Sequence, residues 1–315
     1  MLQRNVVLAS LFRRRLSHAG LVVFVVYAPC ALAGASSPAP TAVAKLLYAA
    51  ITSRGEVDVY KASNKRPHEP IYSFYLTPGT MSSLVVDGLG NLFLADSYST
   101  WVFEYAPGAT APTKRFRTSG TPSGVALNGQ TLYVYQSAPS GGAASIAIYK
   151  GGSTTVTDSL TDSRILYPQG IAVDAAGNVF VGWGGAKFTS GVGEFVAGKM
   201  PMHRLAIPKM DPLALAIDSS GDLVVDAIAD ETTSTMYIFP PGKTVASRAI
   251  SGLPWFYQFS FSGDAKSFYG GDANARSFQR YSYPAGALIY NFNDKDAQWG
   301  FSGIASAPAP QVGTW

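Results

Sequence analysis

One pattern returns along this chain at a nearly constant interval. Residues 84–96 read LVVDGLGNLFLAD, residues 171–183 read IAVDAAGNVFVGW, and residues 215–227 read LAIDSSGDLVVDA. Each copy is an apolar run, an Asp, two intervening residues, a Gly, a polar residue and a second apolar run. That is the pattern of two short strands joined by a tight turn. A copy with a shortened turn lies at 125–135 (VALNGQTLYVY), and one with a lengthened turn at 259–270 (FSFSGDAKSFYG). A second marker follows in each unit, an aromatic residue at Tyr60, Tyr105, Tyr149, Phe195, Phe239 and Tyr283, with spacings of 45, 44, 46, 44 and 44. All but the first are followed three positions later by Gly. In the last unit Tyr281 is the alternative holder of the position, two residues earlier.

Before most of these aromatics the chain alternates with period 2, as in Val57-Asp58-Val59-Tyr60, which is strand patterning. No helical run of 10–15 residues separates the strands, so a parallel α/β sheet is excluded. Composition agrees: 32 Gly and 20 Pro, with 17 Tyr and 17 Phe, suit many short strands and turns rather than a helical bundle. Six units of about 44 residues, each of four short antiparallel strands, predict an all-β chain folded as one six-bladed β-propeller over 45–308. The first unit begins at its second strand, Leu46–Ile51. The missing first strand is expected from the other end of the chain, where 301–308 (FSGIASAP) resemble QGIAVDAA of the fourth unit. The C-terminal strand would then close blade one and remove the open edges of an incomplete ring.

The stretch Gln169-Gly170-Ile171-Ala172-Val173-Asp174-Ala175-Ala176-Gly177-Asn178-Val179-Phe180-Val181 resembles the NHL repeat and related six-bladed propellers, including gluconolactonase-type lactonases. The resemblance covers about residues 45–308 and implies the fold. It does not imply an activity, because the matching motif is structural and the fold carries many functions.

The ends read differently. Arg4 and Arg13-Arg14-Arg15 precede an uncharged apolar run, Ala19–Ala28, and then Ala31-Leu32-Ala33. A basic start, a short apolar core and a small-x-small site describe an export signal over 1–33, and the run is too short to span a bilayer. Residues 34–44 (GASSPAPTAVA) read as a flexible linker and 309–315 as a tail. The chain carries 24 Lys and Arg against 20 Asp and Glu. Four of the Arg lie in 1–33, so the remainder has 20 of each sign and no net charge. That offers no footprint for nucleic acid. The expected product is exported, to the periplasm, the cell surface or the medium. It is monomeric, has no membrane span, and keeps no cysteine if Cys30 leaves with the signal.

Chemistry-bearing residues are sparse. Asp87, Asp174 and Asp218 keep a fixed distance to Gly90, Gly177 and Gly221, as a side chain capping its own turn requires. His68 and His203 lie in outer segments with no supporting motif, so neither a triad nor a zinc site is expected. Lactonase-type propellers hold their metal with an early Glu and with Asn and Asp residues. Glu56 lies in a hairpin here, between Gly55 and Val57 and not at a strand start facing the axis, so no residue of that metal set carries over. No cofactor is therefore expected, with oxygen-only Ca²⁺ coordination the one open metal option. Loops between blades and loops joining second to third strands share one rim of a propeller. Trp255, Tyr257, Trp299, Trp183, Gln169, Asp96 and Asp272 fall in those loops, and aromatics with a few carboxylates and amides suit a pocket. These residues predict an exported, non-catalytic propeller that binds a small molecule, a glycan or a protein on the channel face. The alternatives are a lactonase or lyase using an oxygen-ligated metal, and a structural envelope or surface protein.

Overall fold

The computed structural model describes residues 23–30, 44–51, 55–62, 69–76, 81–139, 141–184, 190–207, 211–272, 277–293 and 304–305. Among them there is no α-helix; the one helical element is a 3₁₀ turn at Val196–Gly198. The strands form six antiparallel sheets taken in sequence order. Blade one contains β1 (Val23–Cys30), β2 (Ala44–Ile51), β3 (Glu56–Lys61) and β4 (Tyr72–Tyr75). Blade two contains β5 (Met81–Val86), β6 (Leu92–Asp96), β7 (Trp101–Tyr105) and β8 (Lys114–Arg117). Blade three contains β9 (Thr121–Asn128), β10 (Thr131–Ser137), β11 (Ser145–Tyr149) and β12 (Asp158–Thr161). Blade four contains β13 (Tyr167–Val173), β14 (Val179–Gly184), β15 (Gly191–Phe195) and β16 (His203–Arg204). Blade five contains β17 (Pro212–Ile217), β18 (Leu223–Ile228), β19 (Ser234–Phe239) and β20 (Arg248–Leu253). Blade six contains β21 (Phe256–Phe261), β22 (Ser267–Asp272), β23 (Ser277–Ser282) and β24 (Leu288–Asn293). A last strand, β25 (Ile304–Ala305), returns to blade one and pairs with β2.

The core is divided among the blade interfaces, which is why no central apolar run dominates the sequence. Six apolar clusters fill the six spaces between neighbouring blades, including the one between blades six and one that completes the ring. β2 shows how period 2 makes this possible. Leu46, Tyr48 and Ala50 face blade two, while Leu47, Ala49 and Ile51 face blade six. Both faces of a middle strand are buried, so it reads as continuously apolar.

The recurring aromatic has one job throughout. Tyr60, Tyr105, Tyr149, Phe195 and Phe239 each pack onto the preceding blade and are at most 3% exposed. Burying a ring of this size contributes about 2–3 kcal/mol. In blade six the position belongs to Tyr281, not Tyr283. Tyr281 pairs across from Phe268 just as Tyr105 pairs across from Leu92, and it packs against Phe256 and Phe268 on the blade-five side. Tyr283 lies two residues further on, in a longer turn that keeps Gly286 in the left-handed region at φ 72°.

Blade one departs from the other five. β25 pairs with β2 at Tyr48↔Ala305 and Ala49↔Ile304, as closure by the C-terminal strand requires. β1, within the segment whose sequence reads as an export signal, also pairs with β2, along its whole length from Val23↔Ile51 to Cys30↔Ala44. Most of the linker and all of the tail lie outside the described residues. No helix among the described residues is long and apolar enough to cross a membrane.

Candidate functional site: the rim at the end of the second strands

Each blade has two ends, set by its register. Inner strands run from one rim down to a turn, and second strands run back up. At the turn end, Asp87 Oδ1 accepts the amides of Leu89 (2.9 Å) and Asn91 (2.8 Å), and its Oδ2 accepts from Asn91 Nδ2 (2.8 Å). Asp174 binds Asn178 in the same way, through N (2.8 Å) and Nδ2 (2.7 Å). Asp218 Oδ1 accepts from the amides of Ser220 (2.8 Å) and Asp222 (2.9 Å). Gly90, Gly177 and Gly221 take φ of 88°, 83° and 84°, the left-handed region that the turn demands and glycine adopts without strain. These carboxylates are consumed by their turns. Asp218 also reaches between blades, accepting from the Tyr283 hydroxyl at 2.7 Å. Burial, and that proton held against a carboxylate, push the Tyr283 phenol well above its usual value.

At the opposite end, Asp96 (β6), Gln136 (β10), Trp183 (β14) and Asp272 (β22) occupy equivalent positions. Each pairs with the start of its inner strand on one side and the start of its third strand on the other. Trp255 and Tyr257 flank Phe256, which pairs with Asp272. In blades two to six the inner strand carries a bulge close to this rim, a device that re-aims side chains where pairing ends. The single-rim placement of Asp96, Asp272, Trp183, Gln169, Trp255 and Tyr257 therefore follows from register. Trp299 lies outside the described residues, and Asp272 is described only through its backbone.

Placement on one rim does not make all of them ligands. Trp183 is 1% exposed and packs into the interface of blades three and four. Arg204 lies 5.8 Å from its ring centre. A Cβ at Gly191 would sit 2.7 Å from the indole, so the third strand must have glycine there. Trp183 is a plug, a correction to its placement in a pocket. Asp96 is also buried. Its Oδ1 accepts the Tyr98 amide at 3.0 Å, capping the loop in the manner of the turn carboxylates at the other end. Gln136 is likewise engaged, accepting from Gly120 N at 3.2 Å and donating to Ser119 and Ser145. Trp255 is half-buried and donates its indole N–H to the carbonyls of Thr233 (2.9 Å) and Asp230 (3.1 Å). That fixes the loop between β18 and β19, where Asp230 accepts from the Thr232 and Thr233 amides and is held near pKa 2 by them.

Two rim-end residues outside the candidate set hold this end of the blades together. Asp226 is fully buried in the blade-five face that meets blade six, and Phe256 N donates to its Oδ2 at 3.2 Å. Its Oδ1 has no hydrogen-bond partner among the described residues. Burial raises its pKa to about 7, against the lowering effect of the Ser234 side chain and the Phe256 amide. Gln258 extends from β21 to β5, where its side-chain amide accepts from Leu84 N (3.3 Å) and donates to Leu84 O (2.9 Å). It satisfies a free strand edge as a neighbouring peptide would, and ties blade six to blade two past blade one. Neither role leaves a sequence signal, since both depend on residues 30 and 174 positions away.

Three tyrosines are among the exposed side chains on this rim. Tyr98 is 73% exposed, Tyr167 57% and Tyr257 36%, on blades two, four and six. No three His, Cys, Asp or Glu among the described residues are grouped to hold a metal ion. Glu56 is buried at the start of β3, two strands from the hub. His203 is exposed on β16, and His68 lies outside the described residues.

The architecture defines the class: a six-bladed β-propeller. The fold resembles a chain of the nidogen/laminin complex with a TM-score of 0.66 at 18% identity, covering 82% of this chain and 97% of that one. It also resembles the hydrazine synthase of Kuenenia stuttgartiensis, with a TM-score of 0.60 at 12% identity, covering 87% of this chain and 86% of that one. No family model and no curated protein matches the sequence.

Proposed function

We propose that this chain is an exported, non-catalytic propeller of the NHL-like kind, and that it binds a protein partner through the rim carrying Tyr98, Tyr167 and Tyr257. The observation that carries the reading is that these three rings are exposed at one end of the ring, while the carboxylates and amides beside them are engaged in holding loops. Tyrosine offers a wide, rigid contact surface with a polar tip, and is enriched at protein interfaces. A propeller seen in the nidogen/laminin complex has the same overall shape, which supports a partner of the protein class over a small molecule. Exposed rings on a common rim support binding through it.

The test compares the protein with a variant carrying Tyr98→Ser, Tyr167→Ser and Tyr257→Ser. Affinity capture from the exported proteome, with the captured partner then titrated in purified form, should show at least tenfold weaker binding by the variant at an unchanged melting temperature. A partner bound equally by both would move the site off this rim. Stoichiometric Ca²⁺ in the purified protein, together with hydrolysis of a lactone, would replace the reading with an enzymatic one.

A further inference from the structure

β2 has two edges, and three strands pair with it. β3 takes one edge through Leu46↔Lys61, Leu47↔Tyr60, Ala50↔Val57 and Ile51↔Glu56. β1 and β25 both run antiparallel to β2, and both pair with Tyr48 and Ala49: Val26 and Val25 from β1, Ala305 and Ile304 from β25. Each also lies against β5, β21 and β22, and the two lie against each other. One backbone edge has one set of donors and acceptors, so two strands cannot both extend along it. β1 holds the edge over eight residues and β25 meets it at two.

We propose that β1 and β25 are alternative occupants of one place, the inner strand of blade one. Residues 23–30 fill it in the full chain, and the C-terminal strand extends along β2 once the leader is gone. The second half of this statement rests on the export reading; the first does not. The sequence suits both occupants. β1 is VFVVYAPC, rich in β-branched and aromatic residues. Its Pro29 is tolerated because the inner strand is an edge strand, with one side of its backbone unpaired. The C-terminal segment repeats the inner-strand pattern of the other blades. Effective concentration decides between them. While covalently attached, β1 competes as a neighbour joined by a short connection. After cleavage it becomes a free peptide, and the tethered β25 prevails on dilution.

Proline substitutions separate the occupants, because proline removes a ladder donor and blocks pairing in a strand interior. In the full chain, Val26→Pro alone and Ala305→Pro alone, both opposite Tyr48 where the inner strand donates to β2, should each keep a single cooperative unfolding transition, whereas the double substitution should abolish it. A full chain with a specific protease site placed after Ala33, folded and then cut, should release the N-terminal peptide on gel filtration and still unfold cooperatively. The same cut chain bearing Ala305→Pro should either retain the peptide or lose its transition. The proposal is overturned if either single substitution unfolds the full chain, if the double is no worse than the singles, or if the cut, unsubstituted chain holds its peptide. Intact mass of the protein recovered from outside the cell tests the export reading separately. A leader still attached there would end that reading and leave the proline results standing.

Discussion

The two ends of the blades obey different rules. At the turn end, Asp87, Asp174 and Asp218 recur at one position and make the same bonds to their own turns. At the rim end, equivalent positions carry Asp96, Gln136 and Trp183, which cap a loop, join three segments and fill a blade interface respectively. Repetition marks a place where every blade has the same local problem. Variation marks a place where each blade meets different neighbours. A function that differs from that of other propellers belongs at the varied end.

Asp218 gives the largest expected break in the equivalence of the turns. Asp218→Ala would leave the Ser220 and Asp222 amides and the Tyr283 hydroxyl without their acceptor. At about 1 kcal/mol or more for each unsatisfied group, the loss should be about 3 kcal/mol. Asp87→Ala disturbs a turn with solvent at hand and should cost about 1 kcal/mol, near the usual value for a lost side-chain cap. Chemical denaturation of both variants checks the ratio. Equal losses would mean that the Tyr283 bond adds nothing.

Asp226 tests the rim end. Its pKa is raised to about 7 in the fold from 3.8. Between those values the folded state binds more protons than the unfolded state, so stability falls as pH rises through this window. Below about 4 the carboxyl is protonated in both states and this penalty is absent; above about 7 it is present in full. Asp226→Asn keeps an acceptor for Phe256 N and cannot ionise. The gap in melting temperature between the variant and the original protein should therefore open in the variant's favour between about pH 4.5 and about pH 8. A tenfold difference in proton affinity between the folded and unfolded states is worth about 1.36 kcal/mol, so the change is on the order of 4 kcal/mol. A gap that stays constant with pH would show that Asp226 ionises in the fold as it does in water.

The same distinction explains what could be read in advance. The blades, their order, the turn role of Asp87, Asp174 and Asp218, and the return of the C-terminal strand all follow from local pattern and constant spacing. The shared rim of Asp96, Trp183, Trp255 and Asp272 follows as well, because topology alone sets it. Burial of Trp183 did not, since it depends on glycine at position 191 in the facing strand. Nor did the choice of Tyr281 over Tyr283, because the two-residue extension of that turn slides the Gly signal away from the strand register. The bridge from Gln258 to Leu84 joins blades distant in sequence, and β1 shares β2's edge with a segment from the other end of the chain. A single-sequence pattern carries no record of either pairing.

The smallest effect concerns the extended turn of blade six. In blade six Ser262 stands in place of the Asp, and Ala265 stands where the other turns have Gly. Ala265 has φ 55° and donates its amide to Ser262 O at 2.8 Å, as Gly90 donates to Asp87 O at 3.1 Å. The turn is one residue longer, since Ser262 N donates to Ser267 O, five positions on, whereas Asp87 N donates to Asn91 O, four positions on. It nevertheless keeps the left-handed residue at the same step. An alanine there costs about 1–2 kcal/mol relative to glycine, and glycine returns about 0.4–1 kcal/mol of that through greater freedom in the unfolded chain. Ala265→Gly should therefore stabilise the protein by about 0.5–1 kcal/mol, a rise of about 2 °C in melting temperature for a chain of this size. The mirror substitution, Gly177→Ala, should lower it by a similar amount, at φ 83° in a turn of standard length. Opposite signs from the two substitutions would show that one backbone requirement governs the regular turn and the extended one alike. A loss from Ala265→Gly would instead make the extended turn of blade six a structure of its own, held by the Ser262 hydroxyl and its bonds to Asp264 and Ser267.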